Sequence, residues 1–159
     1  MTKYLNHPWL TIRVQLALGA IFIIAALPKI ADPPSFAHMI YNYRLLPAGL
    51  INISSLVMPW VELVCGIALV LGVWRRGALT IITILLVVFI VAISINLGRG
   101  NAIDCGCFNV SLANRTVEQR LGDMRLDIFR DLGMLLMAAQ VWWGTSSDGW
   151  QASALQSRR

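Results

Sequence analysis

The chain has 159 residues, of which 57% are hydrophobic and only 13% charged, and its mean hydropathy is +0.67. Soluble domains average about 45–50% apolar and about 25% charged residues, so the composition excludes an ordinary soluble domain and indicates an integral membrane protein. The net charge of +5 lies in short clusters at the ends of apolar segments, which excludes a nucleic-acid-binding face.

Four segments are predicted to cross a hydrocarbon core of about 30 Å, which takes about 20 helical residues. The first covers residues 9–27, and Pro28 with Pro33-Pro34 is expected to end it. The second covers residues 50–74 and contains Pro59, which either kinks the helix or marks its first turn, and we favour the first turn. The third, residues 78–97, is almost continuously apolar and too long for a strand.

The fourth predicted span has a purely apolar part, residues 132–143, that is shorter than a membrane crossing needs. We extend it back over residues 125–131, and the tandem Trp142-Trp143 is typical of the far interface. Basic and acidic residues alternate at helical spacings over residues 114–130, which predicts that the helix begins outside the lipid.

The fold class expected from these segments is all-α, a four-transmembrane-helix bundle with an amphipathic extension before helix 4. It forms a single domain over residues 1–145, followed by a flexible tail over residues 146–159. His7 and His38 have no second ligand at metal spacing, so we interpret them as loop residues and expect no metal site.

Four crossings place both chain ends on one side of the membrane. The basic connection Arg75-Arg76-Gly77, with Lys3 and Arg158-Arg159, indicates that this side is cytoplasmic. The loop after the third span is then periplasmic or extracellular. We therefore expect a multi-pass protein of the bacterial inner membrane, in contact with the lipid bilayer and without a nucleic-acid partner.

The loop after the third span contains two thiols one residue apart, Cys105 and Cys107. Two thiols within reach can form a reversible disulfide or bind a soft metal ion at two points. A ring closed across Gly106 is small, so we expect an easily reduced disulfide suited to exchange with a partner. We predict these cysteines as the catalytic pair, with Asp104, Gly106 and Phe108 as loop support; an inert local staple is the alternative.

Ionisable residues inside spans usually face a partner or a cavity. Five polar residues are expected at similar depth below the cysteine loop, and they are Lys29, Glu62, Asn96, Arg130 and Asp131. This pattern predicts a polar pocket for a proton-coupled redox partner such as a quinone headgroup. An ion-pair network that only holds the bundle together explains the same residues. No covalently bound cofactor is expected.

An ordered set of short motifs accompanies these segments. They are Leu27-Pro28-Lys29-Ile30-Ala31-Asp32-Pro33, Tyr43-Arg44-Leu45-Leu46-Pro47, Met58-Pro59-Trp60-Val61-Glu62-Leu63, Asn96-Leu97-Gly98-Arg99-Gly100, Asp104-Cys105-Gly106-Cys107-Phe108 and Arg130-Asp131. Over residues 10–143 the set resembles the MauE (methylamine utilisation) branch of the DoxX-like four-helix membrane proteins. The resemblance implies a role in maturation of periplasmic, disulfide-rich partners, with Cys105 and Cys107 as the redox pair. It also implies that Lys29, Glu62 and Asp131 are embedded polar positions.

Three functions fit these patterns. The first is an integral membrane thiol–disulfide oxidoreductase that acts on a thioredoxin-like or disulfide-rich extracytoplasmic protein, with a membrane quinone as the other electron carrier. The second is a transporter or chaperone for a soft metal ion such as Cu(I) or Hg(II), with the two thiolates as a transient site. The third is a non-catalytic membrane anchor subunit of a respiratory or dehydrogenase complex.

Overall fold

The structure is a computed structural model that describes residues 8–101, 103 and 116–156. In these residues it contains five α-helices and no strand, which confirms the predicted all-α class. The helices are α1 (Pro8–Ala31), α2 (Pro33–Tyr43), α3 (Ala48–Leu71), α4 (Arg75–Gly98) and α5 (Val117–Gln156).

The four long helices contact one another in a closed ring. α1 packs most extensively against α3, α5 packs against both α1 and α4, and α4 closes the ring against α3. The short α2 lies mainly against α3. The central core takes apolar residues from all four long helices: Leu18, Phe22, Cys65, Leu69, Leu79, Ile82, Leu86, Met134, Ala138 and Val141.

Three helices are long and apolar enough to cross a membrane, and they are Trp9–Ala31 of α1, Ala48–Leu71 and Arg75–Gly98. By length and composition the chain is therefore a multi-pass membrane protein. Within the described residues α5 does not meet the same criterion, because its first half is rich in charged residues and the apolar part that follows, residues 132–143, is short. Three of the four predicted crossings are thus supported.

Two prolines lie inside helices where the sequence predicts helix boundaries. α1 continues past Pro28 to Ala31, and α3 begins at Ala48, eleven residues before Pro59. The helix end predicted at Pro28 and the helix start predicted at Pro59 are both wrong, although α1 does end before Pro33-Pro34, as the sequence predicts. A proline removes one backbone N–H, and in membrane helices packing against neighbouring helices compensates for that loss, so the helix continues.

The segment assigned to a loop around His38 forms helix α2 instead. The Asp32 side chain caps it by accepting a hydrogen bond from the Ser35 N–H at 3.2 Å, and Pro33 and Pro34 occupy the first turn. Hydrogen bonds from the Ser35 hydroxyl and N–H hold the pKa of the exposed Asp32 carboxyl below its ordinary value. The buried face of α2 consists of Phe36, Met39 and Tyr43.

α1 and α3 approach closely where two glycines face each other. A Cβ added to Gly19 would lie 2.8 Å from the carbonyl oxygen of Gly66, and one added to Gly66 would lie 2.9 Å from that of Gly19. Small residues permit such backbone contact between membrane helices. Across the same interface Gln15 Nε2 donates a hydrogen bond to the carbonyl oxygen of Leu69. These contacts fix the register of the two antiparallel helices.

The predicted amphipathic extension and the predicted fourth span form one continuous helix, α5. Thr116 and Gln119 begin it with reciprocal hydrogen bonds between side chain and backbone, of 3.1 and 3.4 Å. Near its other end, a Cβ added to Gly144 would lie 2.6 Å from Thr11 Oγ1, so α5 is antiparallel to α1. The helical backbone continues to Gln156 and includes most of the segment predicted as a flexible tail.

Candidate functional site around a buried ion pair

Lys29 and Glu62 form an ion pair inside the bundle. The Lys29 Nζ lies 2.8 Å from Oε1 and 2.7 Å from Oε2 of Glu62, and the two side chains are 2% and 3% exposed. Lys29 lies in the last turn of α1, and Glu62 lies on α3. Removing one ion from water costs roughly several kcal/mol, so each of these buried charges is stabilised by its attraction to the other.

Two aromatic rings complete the surroundings of the ammonium group. The Lys29 Nζ lies 5.3 Å from the ring centroid of Phe36 on α2 and 5.3 Å from that of Phe89 on α4. Both distances are within the limit of about 6 Å for a cation–π contact. Side chains from α2, α3 and α4 therefore converge on one lysine of α1.

Arg130 and Asp131 bring charges from α5 to the same region. Arg130 donates from Nε and Nη2 to Oδ1 of Asp131, at 3.2 and 2.9 Å, and its Nη1 pairs with Asp127. The Asp131 side chain is 3% exposed, whereas that of Arg130 is 31% exposed. The charged groups therefore extend from a partly exposed arginine to a fully buried lysine.

A small cavity lies between the two ion pairs. Lys29, Glu62, Phe89, Arg130 and Asp131 line it together with apolar residues, and its volume is about 30 Å³. This is about the volume of one water molecule in the liquid. The cavity therefore suits a water molecule that connects the ion pairs, and it is too small for an organic ligand.

Asn96 does not line this cavity. Its buried side chain donates from Nδ2 to the carbonyl oxygens of Tyr43 at 3.2 Å and of Ala92 at 3.0 Å. It therefore ties the end of α4 to the end of α2. Of the five residues predicted to form a polar pocket, the structure brings four to one cavity and places Asn96 in a separate contact.

The family model described as "Methylamine utilisation protein MauE" matches residues 7–144 of the chain. The chain belongs to the MauE family. The matched residues include the whole charged cavity, which is therefore part of the MauE domain. No solved structure matches this chain.

Individual MauE relatives support the same assignment. "Methylamine utilization protein MauE" of Methylorubrum extorquens is 34% identical over 140 residues, which cover 87% of this chain and 72% of that protein. The protein of the same name from Methylophilus methylotrophus is 35% identical over 108 residues, which cover 67% and 57%. That of Paracoccus denitrificans is 34% identical over 113 residues, which cover 70% and 61%. The chain thus spans only about three fifths of the length of two of these relatives.

The predicted redox pair of this MauE chain, Cys105 and Cys107, and its loop support, Asp104, Gly106 and Phe108, lie outside the described residues. Cys65 is described, and it is buried in the central core among apolar side chains.

Sequence reasoning missed three residues that contact the charged groups. Phe36 and Phe89 gave no local signal, because their contact with Lys29 depends on the packing of α2 and α4 against α1. Asp127 could have been found, since it precedes Arg130 by three residues on a predicted helix, a spacing that brings side chains together.

Proposed function

We propose that this MauE-family chain is a four-span inner-membrane thiol–disulfide redox protein that supports maturation of extracytoplasmic proteins of methylamine utilisation. Cys105 and Cys107 exchange electrons with a thioredoxin-like or disulfide-rich partner. One observation carries the proposal: Lys29, Glu62, Arg130 and Asp131 converge from three helices on one cavity inside an apolar bundle. Ionisable side chains buried in membrane helices are typical of proton pathways.

The exposed face of α5 supports a fourth crossing. Between Arg125 and Trp143 every exposed residue is apolar or glycine: Leu126, Phe129, Leu132, Gly133, Leu136, Trp142 and Trp143. A helix rises about 26 Å over this stretch, close to the hydrocarbon thickness of about 30 Å. The charged residues in it, Asp127, Arg130 and Asp131, pair with one another and are at most partly exposed, so they lower the mean hydropathy without forming the exposed face.

The basic residues favour one orientation for such a four-span protein. Arg75 and Arg76 lie at the start of α4, and positive charges at span ends are enriched on the cytoplasmic side. The segment between α4 and α5 is then extracytoplasmic, in the compartment where disulfides persist. In this orientation Cys105 and Cys107 are accessible to exported proteins.

The proposed reaction balances in two steps. In the first, the Cys105–Cys107 disulfide oxidises two partner thiols by thiol–disulfide exchange, so that the partner gains a disulfide and Cys105 and Cys107 become a dithiol. In the second, a membrane quinone takes two electrons and two protons from the dithiol and becomes quinol. The second step needs groups that accept and release protons in a water-poor interior, and Glu62 and Asp131 are carboxylates at the charged cavity.

The redox state of the cysteine pair tests this function. In a Cys65→Ser background, intact spheroplasts are treated with a membrane-impermeant maleimide before and after mild reduction. We expect modification of both remaining cysteines only after reduction, because the oxidised pair has no free thiol. The single variants Cys105→Ser and Cys107→Ser serve as controls, since each leaves one thiol that reacts without reduction.

Two outcomes would contradict the proposal. Modification that is independent of redox conditions in the two-cysteine protein would remove the disulfide from the mechanism. Protection of both thiols by Cu(I), without any disulfide under oxidising conditions, would support the soft-metal function instead.

A further inference from the structure

A second and much larger pocket lies beside the charged cavity, between α2, α3 and α4. Its volume is about 330 Å³, and its lining is almost entirely apolar. The lining residues include Phe36, Met39, Ser54, Met58, Val88 and Phe89. Pockets that bind small molecules usually measure about 300–1,000 Å³, so this one has the volume for a ligand ring with part of a tail.

The pocket is joined to the buried charges by two phenylalanines. Phe89 lines both the pocket and the charged cavity, and Phe36 lines the pocket. The Lys29 Nζ lies 5.3 Å from both ring centroids. A ligand in the pocket is therefore separated from the Lys29–Glu62 ion pair by a single layer of aromatic rings.

The pocket opens on the side that faces lipid. Val88 and Val91 line it although each is 51% exposed, and on a membrane span that exposed surface contacts acyl chains. α3 and α4, which form two of its walls, make the least extensive contact in the ring of long helices. A lipid-soluble ligand can therefore enter between them from the bilayer.

We infer that this pocket binds the ring of an isoprenoid quinone, with the prenyl tail extending between α3 and α4 into the lipid. The inference rests on the proposed function, in which a lipid-soluble acceptor takes two electrons and two protons from the dithiol. The charged cavity of about 30 Å³ excludes such a ring, and the adjoining pocket admits it. Only the rings of Phe36 and Phe89 then lie between the quinone ring and the charged side chains that accept and release protons.

The chemistry of the lining favours a quinone over a phospholipid acyl chain. An acyl chain accounts for the apolar lining but not for two aromatic rings that contact a buried cation. A planar ring gains from offset or edge-to-face contacts with Phe36 and Phe89. The two protons released by the dithiol then reach the reduced ring through the neighbouring charged groups.

Photolabelling in nanodiscs tests the site, with an azido derivative of decylubiquinone as the probe. The protein carries Cys105→Ser and Cys107→Ser, so that binding is measured without thiol chemistry. We expect labelled peptides from α2 and α4, and competition by unmodified decylubiquinone. Ser54→Trp and Val88→Trp, which fill the pocket from two walls, are expected to reduce labelling about tenfold.

Ile53→Trp is the matched control, because Ile53 is the neighbour of Ser54 on α3, is 59% exposed and does not line the pocket. Its labelling is expected to equal that of the parent. Thermal unfolding of each variant in detergent verifies that it is folded. Because Ser54→Trp and Val88→Trp lie on different helices, a loss of labelling in both is not explained by local misfolding of one helix.

Labelling spread evenly over the lipid-facing helices, or unchanged in both filling variants, would overturn the inference. Competition by excess phospholipid as effective as that by decylubiquinone would also overturn it, since the pocket would then bind an acyl chain. Failure of this site is distinguishable from failure of the redox function: a disulfide that forms without quinone labelling refutes the pocket alone, whereas quinone labelling without a disulfide refutes the redox function alone.

Discussion

Lys29 and Glu62 are the residues at which the two explanations of the buried charges differ. A proton-handling site requires their ionisable groups, whereas an ion-pair network that only supports the bundle requires each to balance the other. Replacing a buried ion pair by apolar residues of similar volume is often neutral for stability, while removing one partner leaves an uncompensated charge. A comparison of single and double variants therefore separates the two explanations.

We expect Glu62→Gln to lower the free energy of unfolding by about 3–5 kcal/mol, because it leaves the Lys29 ammonium buried without a counter-charge. The double variant Lys29→Met/Glu62→Leu should recover most of that loss while its quinone-dependent re-oxidation of the cysteine pair stays low. Unfolding in detergent measures the first quantity, and maleimide trapping after mild reduction measures the second. Normal re-oxidation in the double variant would show that the ion pair is only structural.

The site residues were predictable from sequence to the extent that depth in the membrane can be counted along a helix. Lys29 and Glu62 lie at matching depths on antiparallel helices, and Arg130-Asp131 lies at the same level of α5. The position of Asn96 could not be predicted in this way, because its contact with Tyr43 depends on how α4 is rotated and on where α2 ends.

Among the helices, α4 was the most predictable, since an unbroken apolar run needs no tertiary information to be recognised as a span. The ends of α1 and α3 were not predictable, because rules for proline taken from soluble helices overstate its effect where neighbouring helices surround it. For α2 the signal was present in Asp32-Pro33-Pro34-Ser35, a capping residue followed by prolines in the first turn.

The close contact between α1 and α3 yields a prediction at the level of these helices. Gly66→Ala places a Cβ 2.9 Å from the carbonyl oxygen of Gly19, so the helices must move apart, and we expect a loss of about 1–3 kcal/mol in the free energy of unfolding. Gly133→Ala on α5 is the control, because a Cβ there meets nothing within 4 Å. Equal stability of the two variants would show that the contact at Gly66 is loose.

For the whole molecule, fusions at two positions test the proposed topology, in which the cysteine segment follows the third crossing and the C-terminal end follows a fourth. We expect alkaline phosphatase fused after Asn101 to be active, because that position follows the third crossing. Green fluorescent protein fused after Gln156 should fluoresce, because a fourth crossing returns the chain to the cytoplasm. Phosphatase activity in a fusion after Gln156 would show that α5 does not cross the membrane, and the proposed contact between its exposed apolar face and lipid would then be wrong.

The backbone contact at Gly19 and Gly66 makes α1 and α3 the rigid part of the bundle and leaves α2 and α4 as the more mobile part. Two helices whose main chains touch cannot slide past one another, so α1 and α3 act as a fixed frame that sets the spacing of the acid and the base. The less tightly joined α4 and the short α2 hold the aromatic partition on the other side of the lysine. Movements that admit a quinone ring therefore displace Phe36 and Phe89, and the Lys29–Glu62 ion pair keeps its geometry while the pocket opens.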